Sequence, residues 1–171
     1  KGGITAIIPV RSGSTRCKNK NLRPFGGSPS SLLALKIRVL KKVKGFEKII
    51  VSSNDEEMLQ VARNEGVTAV KRAEKYCTTQ CSGSDMYCAL AEAVDTKFMM
   101  YTHCVCPFIT VETYENMIKS WRNNRNCDSI MTAHELHEYL WYKDKPLNYE
   151  FDNAPPSQNI KDYYIPTFGA C

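Results

Sequence analysis

An α/β sandwich on a mainly parallel sheet is the fold class this sequence predicts, and three observations predict it. Apolar residues alternate between strand-like and helix-like periods along residues 4–133. The first such run, "ITAIIPV", reads as a buried strand. It passes directly into a flexible, cationic loop, and parallel sheets bind their ligands beyond the carboxyl ends of strands.

The elements follow in order. After the opening strand and loop, "SSLLALKIRVLKKV" (30–43) predicts a helix, with Leu32, Leu35, Val39 and Leu40 near one face and Gly45 beyond its end. "KIIVSSN" (48–54) predicts a second strand. "DEEMLQVARNEG" (55–66) predicts a helix with acids in its first turn and Gly66 as its stop. "VTAVKR" is a third short strand, and residues 73–82 are polar and irregular. Residues 83–95 carry Met86, Leu90 and Val94 at helical spacing. "KFMMYTH" (97–103) is a fourth strand and "CVCPF" a turn. In "TVETYENMIKSW" (110–121), Val111, Tyr114, Met117, Ile118 and Trp121 form a core stripe, with Thr110 at the N-terminus. "DSIMTA" (128–133) predicts a fifth strand. Residues 134–162, rich in polar and aromatic side chains, read as an excursion, and 163–171 as the beginning of a returning core strand.

Composition narrows the function classes. The chain has 171 residues, 43% hydrophobic and 24% charged, as in a globular domain. No apolar run approaches the length of a membrane span. Eight cysteines show no C-x-x-C spacing, and no signal peptide is legible, so they read as reduced thiols of a cytoplasmic protein. His134 and His137 in "HELHEYLWY" do not form H-E-x-x-H, which argues against a zinc protease. Cys104 and Cys106 read as packing residues, and Asp85 as a first-turn acid of its helix. The net charge is +5, unevenly spread: residues 1–48 hold 12 Lys or Arg and one acid. That polarity suits an anionic ligand near the N-terminal part. A nucleic-acid stripe with interleaved aromatics is not the pattern, since 11–48 contain only Phe25 and Phe46.

The loop itself offers Arg11, Ser12, Gly13, Ser14, Thr15, Arg16, Lys20 and Asn21. Converging cations, hydroxyls and amides are what a polyphosphate needs. Neither G-x-x-x-x-G-K-[ST] nor G-x-G-x-x-G is present, so from the residues alone a phosphate site and a solvated basic loop both stand. At the end of the fourth strand His103 reads equally as ligand-facing or as a turn histidine.

"IPVRSGSTRCKNKNL" resembles the N-terminal signature of sugar nucleotidyltransferases that activate sugar acids with CTP, and within them the N-acylneuraminate cytidylyltransferases, or CMP–sialic acid synthetases. "KIIVSSNDEEMLQVARNEGV", "VKRAEKY", "CSGSDMYCALAEAV" and "HCVCPFIT" resemble later segments of that family in the same order. The likeness covers 4–133 and, more loosely, 155–170. Ser14-Thr15-Arg16 is closer to enzymes activating the eight-carbon sugar Kdo, and His103 stands where the family has Gln.

The resemblance implies a Rossmann-like, glycosyltransferase-A-like nucleotidyltransferase fold, with residues 1–133 as the nucleotide-binding core and 134–162 as a dimer and sugar-site extension. It implies that Arg11, Ser14, Arg16, Lys20 and Asn21 hold the triphosphate of CTP, with Lys20 and Arg11 catalytic. Arg72, Gln80 and Ser82 would meet base and ribose, and His103 and Gln158 the acidic sugar. CMP would pass from CTP to a sialic-acid-like sugar with release of pyrophosphate; Kdo, another nonulosonic acid and a catalytically silent nucleotide-binding module are the alternatives. Mg²⁺ is the implied cofactor. Its ligands are expected beyond Cys171, since relatives continue past this point. A homodimer is expected, with no nucleic acid and no membrane among the partners.

Overall fold

Ile4–Pro9 (β1) lies at the interior of a parallel sheet in the computed structural model, which describes residues 2–14, 16–124, 126–167 and 170. Thr15 of the opening loop and Phe168, Gly169 and Cys171 of the expected returning strand lie outside the described residues. The chain divides into two units, residues 1–130 with 168–171, and residues 131–167.

In the first unit β1 is followed by a small antiparallel pair, Pro24–Phe25 (β2) and Ser28–Ser31 (β3). Leu32–Lys42 (α1), Lys48–Ser53 (β4), Glu56–Asn64 (α2), Thr68–Lys71 (β5), Gly83–Ala91 (α3), Phe98–Tyr101 (β6) and Val111–Asn123 (α4) complete it. Strand order is β5-β4-β1-β6, and every pairing in this sheet is parallel. Ile7 faces Ile50 on one side and Tyr101 on the other. The chain travels outward from β1 through β4 to β5, then returns to the opposite side of β1. The β1/β6 boundary is therefore the point where strand order reverses, the place where such sheets bind ligands.

Helix starts follow ordinary capping chemistry. Ser31, Asp55, Ser82 and Thr110 each accept a backbone N–H of the first turn, from Ala34, Met58, Asp85 and Thr113. Glu56 and Glu57 add negative charge at one N-terminus; Lys41 and Lys42 add positive charge at a C-terminus. After α1 the chain turns at Gly45 (φ +115°), where a Cβ would press on Ile118 at 3.3 Å.

The period of two along β1 separates two cores. Ile4, Ala6, Ile8 and Val10 pack with Leu33, Ile37 and Leu40 of α1, Met58 and Ala62 of α2, and Tyr114, Met117 and Ile118 of α4. Ile7, with Ile50 and Tyr101, packs with Leu90 of α3 on the other face. Helices thus cover both faces of the sheet, as the sequence predicts. The buried face of α1 differs from the expected one: Leu33, Ala34, Lys36, Ile37 and Leu40 are buried, while Leu32, Leu35 and Val39 are only partly so. "LLALKI" is apolar at almost every position, so its periodicity does not select a face.

The fifth strand is also displaced. Residues 128–132 are irregular, and the strand is Ala133–Leu136 (β7). It pairs antiparallel with Tyr163–Pro166 (β10) in the second unit and takes no place in the parallel sheet. Trp141–Tyr142 (β8) and Lys145–Pro146 (β9) form a short hairpin in the same unit. Buried Asn148 staples that unit, accepting from Leu140 N at 2.9 Å and donating to Glu138 O at 2.8 Å. Trp141, Tyr149 and Phe151 meet edge to face there, with Trp141 and Phe151 exposed. In the first unit, Ala170 bridges antiparallel to Thr102 at the end of β6. Among the described residues no helix is long and apolar enough to cross a membrane. The cysteines described are free, and Cys77 and Cys104 are buried.

Candidate nucleotide-binding cleft

A cleft of about 200 Å³ opens where β1 and β6 end. The β1 side brings Pro9, Val10 and Arg11; the β6 side brings His103, Cys104 and Val105; the opening loop brings Ser14, Arg16, Lys20 and Asn21. Six of the ten residues anticipated for chemistry, Arg11, Ser14, Arg16, Lys20, Asn21 and His103, meet here, and no acidic residue is among the described lining.

The loop is shaped by its own residues and by one anchor. Gly13 has φ +77° and Asn19 φ +52°, left-handed conformations that Gly and Asn adopt most readily. The Asn19 carbonyl accepts from Leu22 N and Arg23 N, closing the turn that presents Lys20. Ser12 N donates to Asn54 Oδ1 at 3.2 Å, and Asn54 Nδ2 donates back to Ser12 Oγ at 3.0 Å and to Glu74 Oε2 at 2.9 Å. Arg11 Nη1 donates to the Cys77 carbonyl at 2.6 Å, tying the loop to the 73–82 segment. Asn21 is buried, and its Oδ1 has no hydrogen-bond partner among the described residues, an orphaned acceptor on the cleft wall.

Arg72 lies elsewhere. It is buried, and its guanidinium donates to Val10 O at 2.8 Å, Ser52 O at 3.1 Å and Cys77 Sγ at 3.1 Å. It joins the ends of β1 and β4 from beneath and does not line the cleft. Gln80 is exposed; Ser82 is exposed and committed as the N-cap of α3, also donating to Asp85 Oδ2 at 2.7 Å. Gln158 is exposed in a 3₁₀ turn, Ser157–Asn159, of the second unit.

The electrostatics of the cleft are cationic. His103 is half-buried and its ring meets Tyr101 edge-on at 4.5 Å. Burial holds its imidazole below the usual histidine range, helped by the charges of Lys36 and Lys20. Burial likewise pushes the Cys104 thiol up to about 12, and Cys104 packs in the main core while Cys106 is only partly buried. Lys36, invisible to the sequence reading, is 2% exposed on α1, with Nζ 2.8 Å from Cys106 O and 2.7 Å from Tyr114 Oη. A lysine between Leu35 and Ile37 carries no sequence signal of burial. Asn54, a polar residue after a strand, carries none of its anchoring role either.

Mg²⁺ takes carboxylate and phosphate oxygens. The described cleft lining offers cations, a hydroxyl and an amide but no carboxylate, so these residues do not themselves fit the ion. Glu135, His137 and Asp162 bring ligand atoms within 4.8 Å of one another, all exposed, in the second unit.

The sequence pattern of the family described as "Cytidylyltransferase" matches residues 5–156. A pseudaminic acid cytidylyltransferase of Campylobacter jejuni is 32% identical over 105 residues, 61% of this chain and 44% of that protein. A Helicobacter pylori protein described as pseudaminic acid cytidylyltransferase and UDP-2,4-diacetamido-2,4,6-trideoxy-beta-L-altropyranose hydrolase is 41% identical over 132 residues, 75% of this chain and 25% of that one. The matched region is thus less than half the length of either relative. Among solved structures, CMP:2-keto-3-deoxy-manno-octonic acid synthetase complexed with CTP superposes with a TM-score of 0.62 at 20% identity, over 72% of this chain and 49% of that one.

Proposed function

We propose, from the premise that this chain belongs to the cytidylyltransferase family, that it binds CTP in the β1/β6 cleft and transfers CMP to a sugar acid. The observation that carries the proposal is the meeting of Arg11, Arg16 and Lys20 with no acidic lining residue at the strand-order reversal. Three cations converging on one cleft suit closely spaced phosphate oxygens.

In this reading the anomeric hydroxyl of the sugar attacks the α-phosphorus of CTP. A new O–P bond forms, the bond to the bridging oxygen breaks, the hydroxyl proton is released and pyrophosphate leaves with the electron pair. Lys20 and Arg11 neutralise the charge that grows on the leaving group, and Ser14, Arg16 and Asn21 fix its orientation. The orphaned Asn21 acceptor is satisfied by a donor of the bound ligand. His103 faces the incoming sugar. No step of this reading is routed through Mg²⁺, since the described cleft lining holds no carboxylate for it.

The sugar is a sialic-acid-like nonulosonic acid. The Helicobacter pylori relative, the longer of the two matches, supports pseudaminic acid within that class. A homodimer through the exposed aromatics around Trp141 and Phe151 is part of the same proposal.

Calorimetric titration of the 171-residue chain with CTP, UTP and ATP tests the reading. Preference for CTP is expected. Pyrophosphate release with N-acetylneuraminate, pseudaminate or Kdo then identifies the acceptor. A folded chain that binds no nucleotide, or all three alike, overturns the proposal.

A further inference from the structure

Lys36 is a buried cation without a counterion among the described residues. Its side chain is held in three ways: by the Cys106 carbonyl at 2.8 Å, by the Tyr114 hydroxyl at 2.7 Å, and by the Tyr114 ring, whose centroid is 5.1 Å away. None of these carries a formal charge. The acidic groups that act on its charge are the Cys106 and Cys104 thiols, and burial pushes the Cys104 thiol up. Burying an ammonium on neutral dipoles alone is costly. The same burial lowers its pKa from the ordinary lysine range.

The position of this charge is informative. Cys106 closes the turn that begins at His103, its N–H donating to the His103 carbonyl at 3.4 Å. His103, Cys104 and Val105 of that turn line the cleft. His103 and Cys104 both feel the Lys36 charge together with that of Lys20, which stands on the cleft wall itself. Lys36 therefore sits behind the wall, held to the 103–106 turn through Cys106 O, and adds to the field of Arg11, Arg16 and Lys20.

We propose that Lys36 is a positioning residue whose counterion is the bound polyphosphate: it braces the 103–106 turn through Cys106 O and projects a buried positive charge into the cleft without touching the ligand. The inference rests on the reading of the cleft as the CTP site. It explains why the fold keeps a lysine where an apolar residue would pack at lower cost. The charge is unfavourable in the empty protein and becomes favourable when several phosphate charges arrive in a region of low dielectric.

The experiment compares wild type with Lys36→Met and with the double variant Lys36→Met/Tyr114→Phe, which also removes the hydroxyl the first would orphan. Each is titrated with CTP, CMP and inorganic pyrophosphate, and each is melted without ligand. Both variants are expected to fold, with the double variant melting at or above the wild-type Tm. CTP and pyrophosphate affinity should fall about tenfold, while CMP, with fewer charges, loses about threefold or less. A scaffold role alone would move the three ligands together or lower Tm without changing the affinities of the folded protein; either result overturns the inference. So does a folded variant that binds CTP as wild type does. Wild type that binds neither CTP nor pyrophosphate instead overturns the reading of the cleft, and this inference falls with it.

Discussion

Ser12 and Asn54 exchange two hydrogen bonds, backbone N–H to Oδ1 at 3.2 Å and Nδ2 to Oγ at 3.0 Å. The pair joins the first residues of the cationic loop to the residue just beyond β4, and Asn54 Nδ2 reaches Glu74 Oε2 as well. A loop rich in small residues carries much conformational entropy, and this anchor removes part of it before a ligand arrives. Asn54→Ala is expected to lower stability by about 1–2 kcal/mol, a typical cost for losing side-chain hydrogen bonds. It is expected to weaken CTP binding by about five- to tenfold through loss of preorganisation. Urea melts and CTP titration measure both. Unchanged affinity in a measurably destabilised variant would show that the anchor does not shape the phosphate loop.

Arg72 carries a different expectation. Its guanidinium satisfies the carbonyls of Val10 and Ser52, at the ends of the two central strands beneath the cleft. Arg72→Met takes the guanidinium donor from the Val10 carbonyl, while Ser52 O keeps its bond from Val10 N, at a cost of about 1–3 kcal/mol. Arg72→Lys keeps the charge but cannot span the same acceptors, so it should recover only part of that loss. If Arg72 acts through the scaffold, the folded fraction of Arg72→Lys retains its preference for CTP over ATP. Loss of that preference at unchanged Tm would restore Arg72 to direct base recognition.

Particular residues show what was legible beforehand. The alternation of "ITAIIPV", "KIIVSSN" and "KFMMYTH" with amphipathic segments is the signature of buried parallel strands and their helices. It carried the order of elements through α4 because burial, the force that writes the pattern, also builds the sheet. The strand Ala133–Leu136 escaped because it is a largely exposed ribbon whose partner lies about thirty residues away, so neither burial nor a local turn marks it. At the site, Arg11, Arg16 and Lys20 were legible as clustered charge on a small-residue loop. Lys36 and Asn54 were not: each acts through the tertiary neighbours it meets, Tyr114 at 78 residues' separation and Ser12 at 42.

Lys20 is half-buried at the tip of the turn closed by Asn19, and no described hydrogen bond or ion pair to another protein group uses its ammonium. Truncation therefore removes little packing. Lys20→Ala is expected to change stability by less than about 0.5 kcal/mol, as for a surface substitution. CTP affinity is expected to fall by about a hundredfold, since a charge-assisted contact to phosphate is worth about 1.5–3 kcal/mol. Thermal melts and calorimetry separate the two. Near-normal CTP affinity in the folded variant would remove Lys20 from the phosphate site.

His103 gives the fold an acid-side liability. Burial, with Lys36 and Lys20 as further causes, holds its native pKa below the ordinary 6.5. In the unfolded chain the imidazole titrates at its ordinary value. As pH falls below that value, the unfolded chain takes up a proton that native His103 resists. Unfolding then binds protons, and native stability falls with pH until the depressed native pKa is reached, where this contribution levels off. Above the ordinary value both states are neutral and the contribution is fully present. His103→Gln has no such group, so stability of wild type minus variant should decline from pH 7 toward pH 5, whatever the carboxylates common to both contribute. Protonated His103 would add a cation to the cleft, so bound CTP should shrink that decline by raising the native pKa. Urea melts of both proteins across that range, with and without CTP, measure it. A flat difference in the absence of ligand would mean that His103 titrates alike in both states, contrary to its partial burial in the cleft wall.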